Sequence, residues 1–335
     1  MTNIKDVALE AGVAPITVSR TINNSGPVSD ATRERVERAI KELDYVPNML
    51  GASLKSNRTN TLALLITDIT NPFWTTVTRG AEDAASENGY HLFLCNTDES
   101  AEKEASYLEM LLRRRIDGIM FVPTGDNAEA LEGFRRREIP IVCIDRIVQH
   151  DPFDSVRGGS RAGACLLGEH LFSLGHRRVA VLAGPQSVST SAERVRGFLD
   201  AHSKAGLSPS DCIVQWGDFT QASGYKAAEH ALEHQPSLTA IFAVNNFIAL
   251  GALEYLDQVG IRVPAEVSMV TFDELPFGML GNRSLTVANQ SAYEMGYRAT
   301  ELLLGRLSGD VVGPARKIVL PVEIHVGNST ARTMS

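Results

Sequence analysis

Between residues 61 and 272, short and nearly all-apolar runs alternate with longer stretches of helical spacing, which limits the fold more than any other feature of this 335-residue chain. The apolar runs lie at 62–66, 92–95, 118–122, 141–144, 179–183, 240–244 and 267–272. Between them the helical pattern recurs at 75–87, 102–113, 163–174, 192–205, 224–232 and 248–259. Strands apolar on both sides belong in parallel sheets covered by helices on both faces, the doubly wound α/β class. Seven strands over ~270 residues suit two βα lobes better than one sheet. A ligand then belongs in the crevice at the C-terminal ends of the strands.

The first 58 residues read differently. They carry eight Lys or Arg and seven Asp or Glu, a net of +1, in a chain whose formal total is −8. Any affinity for phosphate must therefore sit in this small part. Asn3 suits the cap of a helix over 4–11 that Gly12 ends, and Pro15 suits the first turn of a second helix to about Asn23. Ser29-Asp30-Ala31-Thr32 opens a third, with Val36, Ile40 and Leu43 on one face, and Tyr45-Val46-Pro47 closes it. Ala8, Val13, Val18 and Ile22 can form a small core. No apolar run approaches the ~18 residues of a membrane span. The opening Met1-Thr2-Asn3-Ile4-Lys5-Asp6 lacks the regions of a signal peptide, so a cytoplasmic location is expected. Cys95, Cys143, Cys165 and Cys212 are dispersed and read as buried thiols.

The segment from Ile4 to Asn23, with Ala8, Ala11-Gly12-Val13, Thr17-Val18-Ser19-Arg20 and Ile22-Asn23, resembles the helix-turn-helix of the lactose and galactose repressor (LacI/GalR) family. The likeness continues through Val28-Ser29, Thr32 to Val36, Ala39-Ile40, Leu43 and Tyr45 to Asn48. It implies that Pro15, Ile16 and Thr17 reach base edges, that Arg20 meets a guanine or a phosphate, and that Asn3, Lys5, Ser19, Asn23 and Ser29 join the contacts to DNA. It also implies a hinge helix after Pro47 that folds on the operator. There Asn48, Leu50, Ser53, Leu54 and Lys55 match, and Leu54 enters the minor groove. Gly51 and Ala52 depart from the usual residues. Glycine costs a helix about 0.5–1 kcal/mol against alanine, so Gly51→Ala is expected to tighten operator binding in a titration.

From Asn60 onward the chain resembles the family's effector-binding core, related to periplasmic sugar-binding proteins. The matching pieces include Asp68 to Trp74, Ile144-Asp145-Arg146, Leu174 to Arg178, Arg194 with Gly197-Phe198, Ala243 to Asn246 and Thr271-Phe272-Asp273. The resemblance implies an effector site of Phe73, Trp74, Asp145, Arg146, Thr190, Arg194, Phe219, Asn245, Phe247, Asp273 and Gln290. Aromatic faces suit the C–H groups of a sugar ring, carboxylates accept paired hydroxyls, and a guanidinium offers a planar fork of donors. Val188 replaces a polar or basic residue of purine-responsive relatives, Phe247 a polar group of the lactose-type pocket, and Asn246 a frequent aspartate. In 158–160, Gly-Gly-Ser replaces an Asp-Asn pair, leaving Ser160 as the expected helix cap. Val188 counts against a nucleobase and none of the departures identifies the effector; the aromatic and paired-carboxylate composition of the pocket favours a carbohydrate over a purine-like one.

Other patterns carry less. His230-Ala231-Leu232-Glu233-His234 has the spacing of one class of zinc peptidase, yet it closes a helix before Gln235-Pro236 with no evident third ligand. The basic runs at 113–115 and 135–137 end helices, where cations complement the dipole. Phosphate-binding glycine loops and Gly-x-Ser-x-Gly are absent from the sequence. The expectation is therefore a helix-turn-helix headpiece (1–46), a hinge (47–59) and a two-lobed, periplasmic-binding-protein-like core (60–335). The lobes are expected at roughly 60–157 plus 291–318 and 158–290 plus 319–335. Such a chain regulates transcription, most simply as a homodimeric repressor on palindromic double-stranded DNA under a small-molecule effector. No cofactor, metal, membrane or catalytic role is expected. The rivals are a solute-binding protein, opposed by the helix-turn-helix, and a two-lobed enzyme, opposed by the lack of a His or Cys partner for Asp145 and Asp273.

Overall fold

A computed structural model describes residues 2–23, 25–46, 58–124, 128–148, 153–275 and 284–333, divided between Thr59 and Asn60 into two units. The first unit holds α1 (Ile4–Glu10), α2 (Pro15–Ile22) and α3 (Asp30–Glu42). Asn3 caps α1 through a reciprocal box: its Oδ1 accepts from Lys5 N (2.8 Å), while the Asp6 carboxylate accepts from Asn3 N (2.8 Å). Gly12, at φ +63°, turns the chain into α2, which opens on Pro15. Val7, Ala8, Ala11, Val18, Val36 and Ala39 form the core, with Val13, Ile22, Ile40 and Leu43 at its margin. The hinge expectations at Asn48, Leu50, Gly51, Ala52, Ser53, Leu54 and Lys55 lie outside the described residues.

The second unit contains two six-stranded sheets. The first has the order β11-β5-β4-β3-β1-β2 and is wholly parallel; the second has the order β12-β10-β9-β8-β6-β7, with β12 alone antiparallel. The strands are β1 (Thr61–Ile66), β2 (His91–Asn96), β3 (Gly118–Phe121), β4 (Ile141–Ile144), β5 (Asp154–Gly158), β6 (Val179–Ala183), β7 (Cys212–Trp216), β8 (Ala240–Ala243), β9 (Ser268–Phe272), β10 (Thr286–Gln290), β11 (Lys317–Leu320) and β12 (Val322–His325). Around the first sheet run α4 (Pro72–Glu87), α5 (Ala101–Arg114), α6 (Ala128–Arg135) and α11 (Ala292–Ser308). With the second go α7 (Ser160–Ser173), α8 (Ser189–Lys204), α9 (Gln221–His234) and α10 (Asn246–Gln258).

Strand β1 shows why these runs are apolar throughout. Leu62, Leu64 and Ile66 enter a core with Trp74, Val77, Met295 and Leu303 on one face, and Ala63 and Leu65 enter another with Leu108, Leu111 and Phe134. The chain passes between the sheets three times, from β5 into α7, from β10 into α11, and from β11 to β12 through Pro321. Helices α4 and α11 cross on two glycines. A Cβ at Gly80 would lie 2.0 Å from the Tyr293 carbonyl oxygen, and one at Gly296 1.9 Å from that of Val77.

Several local expectations change. Helices α4, α7, α8 and α9 begin about one turn before the apolar periodicity does; in α4 and α8 that first turn carries residues of the cavity lining, Phe73 and Trp74 in one and Thr190 in the other. Ser160 is the first residue of α7 and does not cap it; the cap position is Gly159, and Ser160 Oγ accepts from Arg194 Nε (3.3 Å). Cys165 and Cys212 are only partly buried, unlike Cys95 and Cys143. The polar end is tied down: Ser329 Oγ donates to Met269 O (2.6 Å) and accepts from Thr286 N (2.8 Å), while His176 Nε2 meets Ala331 O (3.0 Å).

Candidate functional site

On the headpiece, Pro15, Ile16 and Arg20 of α2 are exposed, and Thr17 and Ser19 are half-buried beside them. Ile16 leaves 52% of its surface in solvent, a large apolar group exposed at the start of a helix. Lys5 and Ser29 are also exposed, whereas the side chain of Asn3 is committed to its cap. Asn23 Nδ2 donates to the Ser19 carbonyl (2.9 Å) and hydroxyl (3.3 Å), so these two residues present one joined polar group. Asn48, Leu54 and Lys55 fall outside the described residues.

In the second unit a cavity of about 610 Å³ opens at the C-terminal ends of both parallel sheets. It collects Phe73, Trp74, Asp145, Arg146, Thr190, Arg194, Phe219, Asn245, Phe247 and Asp273 into one lining. Gln290 stands apart from that lining: it is buried behind Asp273 and donates through Nε2 to both carboxylate oxygens (3.2 and 3.1 Å).

Asp145 and Asp273 hold equivalent places in the two sheets, the first residues after β4 and β9. Both take the left-handed backbone conformation, φ +61° and +63°, and each sends its N–H to the next strand, to Val156 O (2.9 Å) and Ala288 O (3.1 Å). That bend turns each side chain off the strand and into the cleft. Burial pushes the Asp273 carboxyl up to about 6, with Arg194 and Gln290 opposing it. Asp145 is also raised by burial, against Arg194 and Arg146, and its Oδ1 is buried without a hydrogen-bond partner.

The guanidinium carbon of Arg194 sits over Phe272, 4.0 Å from the ring centroid. Its Nε donates to Ser160 and its Nη1 to Val244 O (2.7 Å), so Nη2 is the donor it offers the cavity. Arg146 is occupied: its two terminal nitrogens grip Glu99 (2.7 and 2.6 Å), and its plane lies 5.2 Å from the Phe219 centroid. On another side, a Cβ at Gly184 would come within 2.4 Å of the Phe219 ring. Phe219 still contributes to the cavity lining beside these contacts. Asn245 caps α10 through Oδ1, accepting from Ile248 N (2.8 Å), and offers its amide nitrogen inward.

Asp98, Glu99 and Asp218, to which no role was assigned from the sequence, also line the cavity, as do Asn71, expected only within a matching segment, and Asn246, expected only as a departure from a frequent aspartate. Asp98 and Glu99 both have positive φ (52° and 55°) in the turn after β2, a position the topology makes equivalent to the other strand ends. With Asp68, Asp145 and Asp273 they give the lining more carboxylates than the two arginines offset. Elsewhere His230 and His234 stack with centroids 3.9 Å apart, and His234 Nδ1 meets the His230 carbonyl (2.9 Å). Among the described residues no group of three His, Cys, Asp or Glu is placed to hold a metal ion, and no helix is long and apolar enough to cross a membrane.

Both units match known families. A family described as "Bacterial regulatory proteins, lacI family" matches residues 3–48, and one described as "Periplasmic binding proteins and sugar binding domain of LacI family" matches residues 59–318. The HTH-type transcriptional repressor PurR of Aliivibrio fischeri (strain MJ11) is 36% identical over 310 residues, 92% of each chain. Among solved structures, a complex of the transcriptional regulator CelR with cellobiose superposes with a TM-score of 0.75 at 31% identity, over 98% of this chain and 100% of that one. The lac repressor dimer bound to operator and the anti-inducer ONPF gives 0.85 at 25% identity, over 98% and 99%.

Proposed function

This chain belongs to the lacI family of bacterial regulatory proteins, and from that premise we propose that it represses transcription as a homodimer on a palindromic operator, under a carbohydrate held in the cleft. The observation that carries the effector reading is the matched pair Asp145 and Asp273, with the open Nη2 of Arg194 and the amide of Asn245 beside them. Each carboxylate can accept two neighbouring hydroxyls of a polyol, the guanidinium and amide donate to ring or hydroxyl oxygens, and Phe73, Trp74 and Phe247 supply apolar contact. The cellobiose bound by the CelR regulator supports this ligand class. The net negative lining favours neutral sugars over phosphorylated or acidic ones.

Two headpieces related by a two-fold axis meet two half-sites, and the operator repeats that symmetry. Lys5, Ser19, Asn23 and Ser29 serve phosphate, Arg20 a guanine or phosphate, and Pro15 and Ile16 the methyl groups of thymine. Such a regulator works in the cytoplasm. A sugar that binds the two sheets' strand ends differently in two arrangements of the lobes shifts their populations, and with them the affinity for DNA. Calorimetric titration with a panel of neutral mono- and disaccharides tests the ligand class. At least one binds wild type, and Asp273→Asn weakens it about ten- to a hundredfold, the loss of one to two charge-assisted bonds. Binding by a nucleobase and by none of the sugars would reject a carbohydrate effector.

A further inference from the structure

We infer that the chain latches its own two lobes across the cleft, chiefly through the reciprocal amide pair Asn71–Asn246. Asn71 is the cap of α4, on the first sheet, and Asn246 opens α10, on the second. Asn71 Nδ2 donates to Asn246 Oδ1 and Asn246 Nδ2 donates back to Asn71 Oδ1, both at 3.0 Å. Both residues are buried, so water does not compete for these bonds. Asn71 Oδ1 also accepts from Phe73 N (3.0 Å), so closing the latch and starting α4 use one oxygen.

Two further contacts join the same lobes from other elements. Arg146, after β4, lies against Phe219, which precedes α9; Arg157 of β5 donates to Glu193 of α8 at 2.7 Å. Arg146 is itself held by Glu99, and Gly184 leaves room for the Phe219 ring, so neither partner is a loose side chain. All three are bonds of the chain to itself and require no ligand. The central one is uncharged, which avoids the desolvation cost that a carboxylate would carry at Asn246. An aspartate there would keep one bond from Asn71 Nδ2 and set a negative oxygen against Asn71 Oδ1. Asn246 thus fixes the resting balance between lobe arrangements, against which any effector's differential affinity is read.

The inference deepens the reading of this cleft as the regulatory site, and it rests on that reading only for its effect on DNA. Its test therefore uses neither DNA nor effector. Spin labels at exposed Ser106 of α5 and exposed Ser203 of α8 report the separation of the lobes. The full chain carries them in a Cys165→Ala, Cys212→Ala background, diluted with unlabelled protein. The wild type gives one narrow distance distribution. In Asn246→Ala and Asn246→Asp a longer-distance population grows about ten-fold, as expected for losing one to two hydrogen bonds. Arg157→Gln, a milder change in a half-buried pair, moves the distribution the same way and adds to Asn246→Ala. Far-UV dichroism confirms that each variant is folded. Unchanged distances in the Asn246 variants, or a wild type already spread over the long distances, would overturn the inference, whichever ligand the cleft binds.

Discussion

Asp145 and Asp273 are costly residues. Each is buried, each bends the backbone into a conformation that few side chains favour, and each has its carboxyl raised by loss of water. A folded-state value of about 6 for Asp273, above its ordinary value, means that its protonated form is the stabilising one. That contribution is complete below about pH 4 and is lost as the pH rises through 6. Asp273→Asn, which stays neutral, is therefore expected to stabilise the core by about 1–3 kcal/mol at pH 7.5 and hardly at all at pH 4, measured by denaturant unfolding. The same change removes ligand affinity, so stability and binding move in opposite directions. At this scale most of the cleft was legible, because a residue just past a parallel strand points to one place in the fold. What was not legible is how each side chain is already engaged. Arg146 is bound to Glu99, Gln290 stands behind Asp273, and Phe219 lies between Arg146 and Gly184. Each depends on a partner at least 17 residues away.

Elements in this fold are read by what covers them. Six of the seven apolar strands are buried on both faces, and β2, an edge strand with exposed positions, was visible through its apolar residues alone. The missed ones are edge strands with exposed positions, as in β7, β11 and β12, or strands whose polar residues are satisfied from afar. Asp154 and Ser155 of β5 are buried because Arg306 of α11 holds Asp154 at 2.7 and 2.9 Å and β11 pairs alongside. Helix α11 carries Met295, Ala299, Leu302 and Leu303 at helical spacing, a signal present in the sequence but not assigned to an element by its periodicity. Its crossing with α4 yields a sharp expectation. Gly296→Ala sets a methyl against the Val77 carbonyl, a backbone atom that cannot turn aside. It should destabilise the core by about 2–4 kcal/mol in urea unfolding, a packing penalty of the overfilled kind. Ser329→Ala should cost about 1–3 kcal/mol in the same assay, since it strands the Met269 carbonyl and the Thr286 amide. Wild-type stability in either variant would mean that the chain relaxes there more than its packing suggests.

At the scale of the whole molecule the two units divide the work. The excess negative charge lies beyond residue 58, and the small helical unit, which matches the DNA-binding family, carries a slight positive balance; under the proposed reading, specificity lies with its α2. The larger unit offers a cavity whose walls come from both sheets and whose lobes are joined by the chain's own contacts. Sequence-specific binding of duplex DNA is the property on which the division between the two units depends. The direct measurement is selection from random duplexes by the purified full-length protein at two salt concentrations. The expected result is a two-fold symmetric motif of two half-sites whose binding weakens steeply with salt, as release of counterions from phosphate requires. Ile16→Ala should then relax the preference at a thymine in each half-site while leaving the salt slope unchanged. Recovery of no motif from folded protein at either salt concentration would contradict the account.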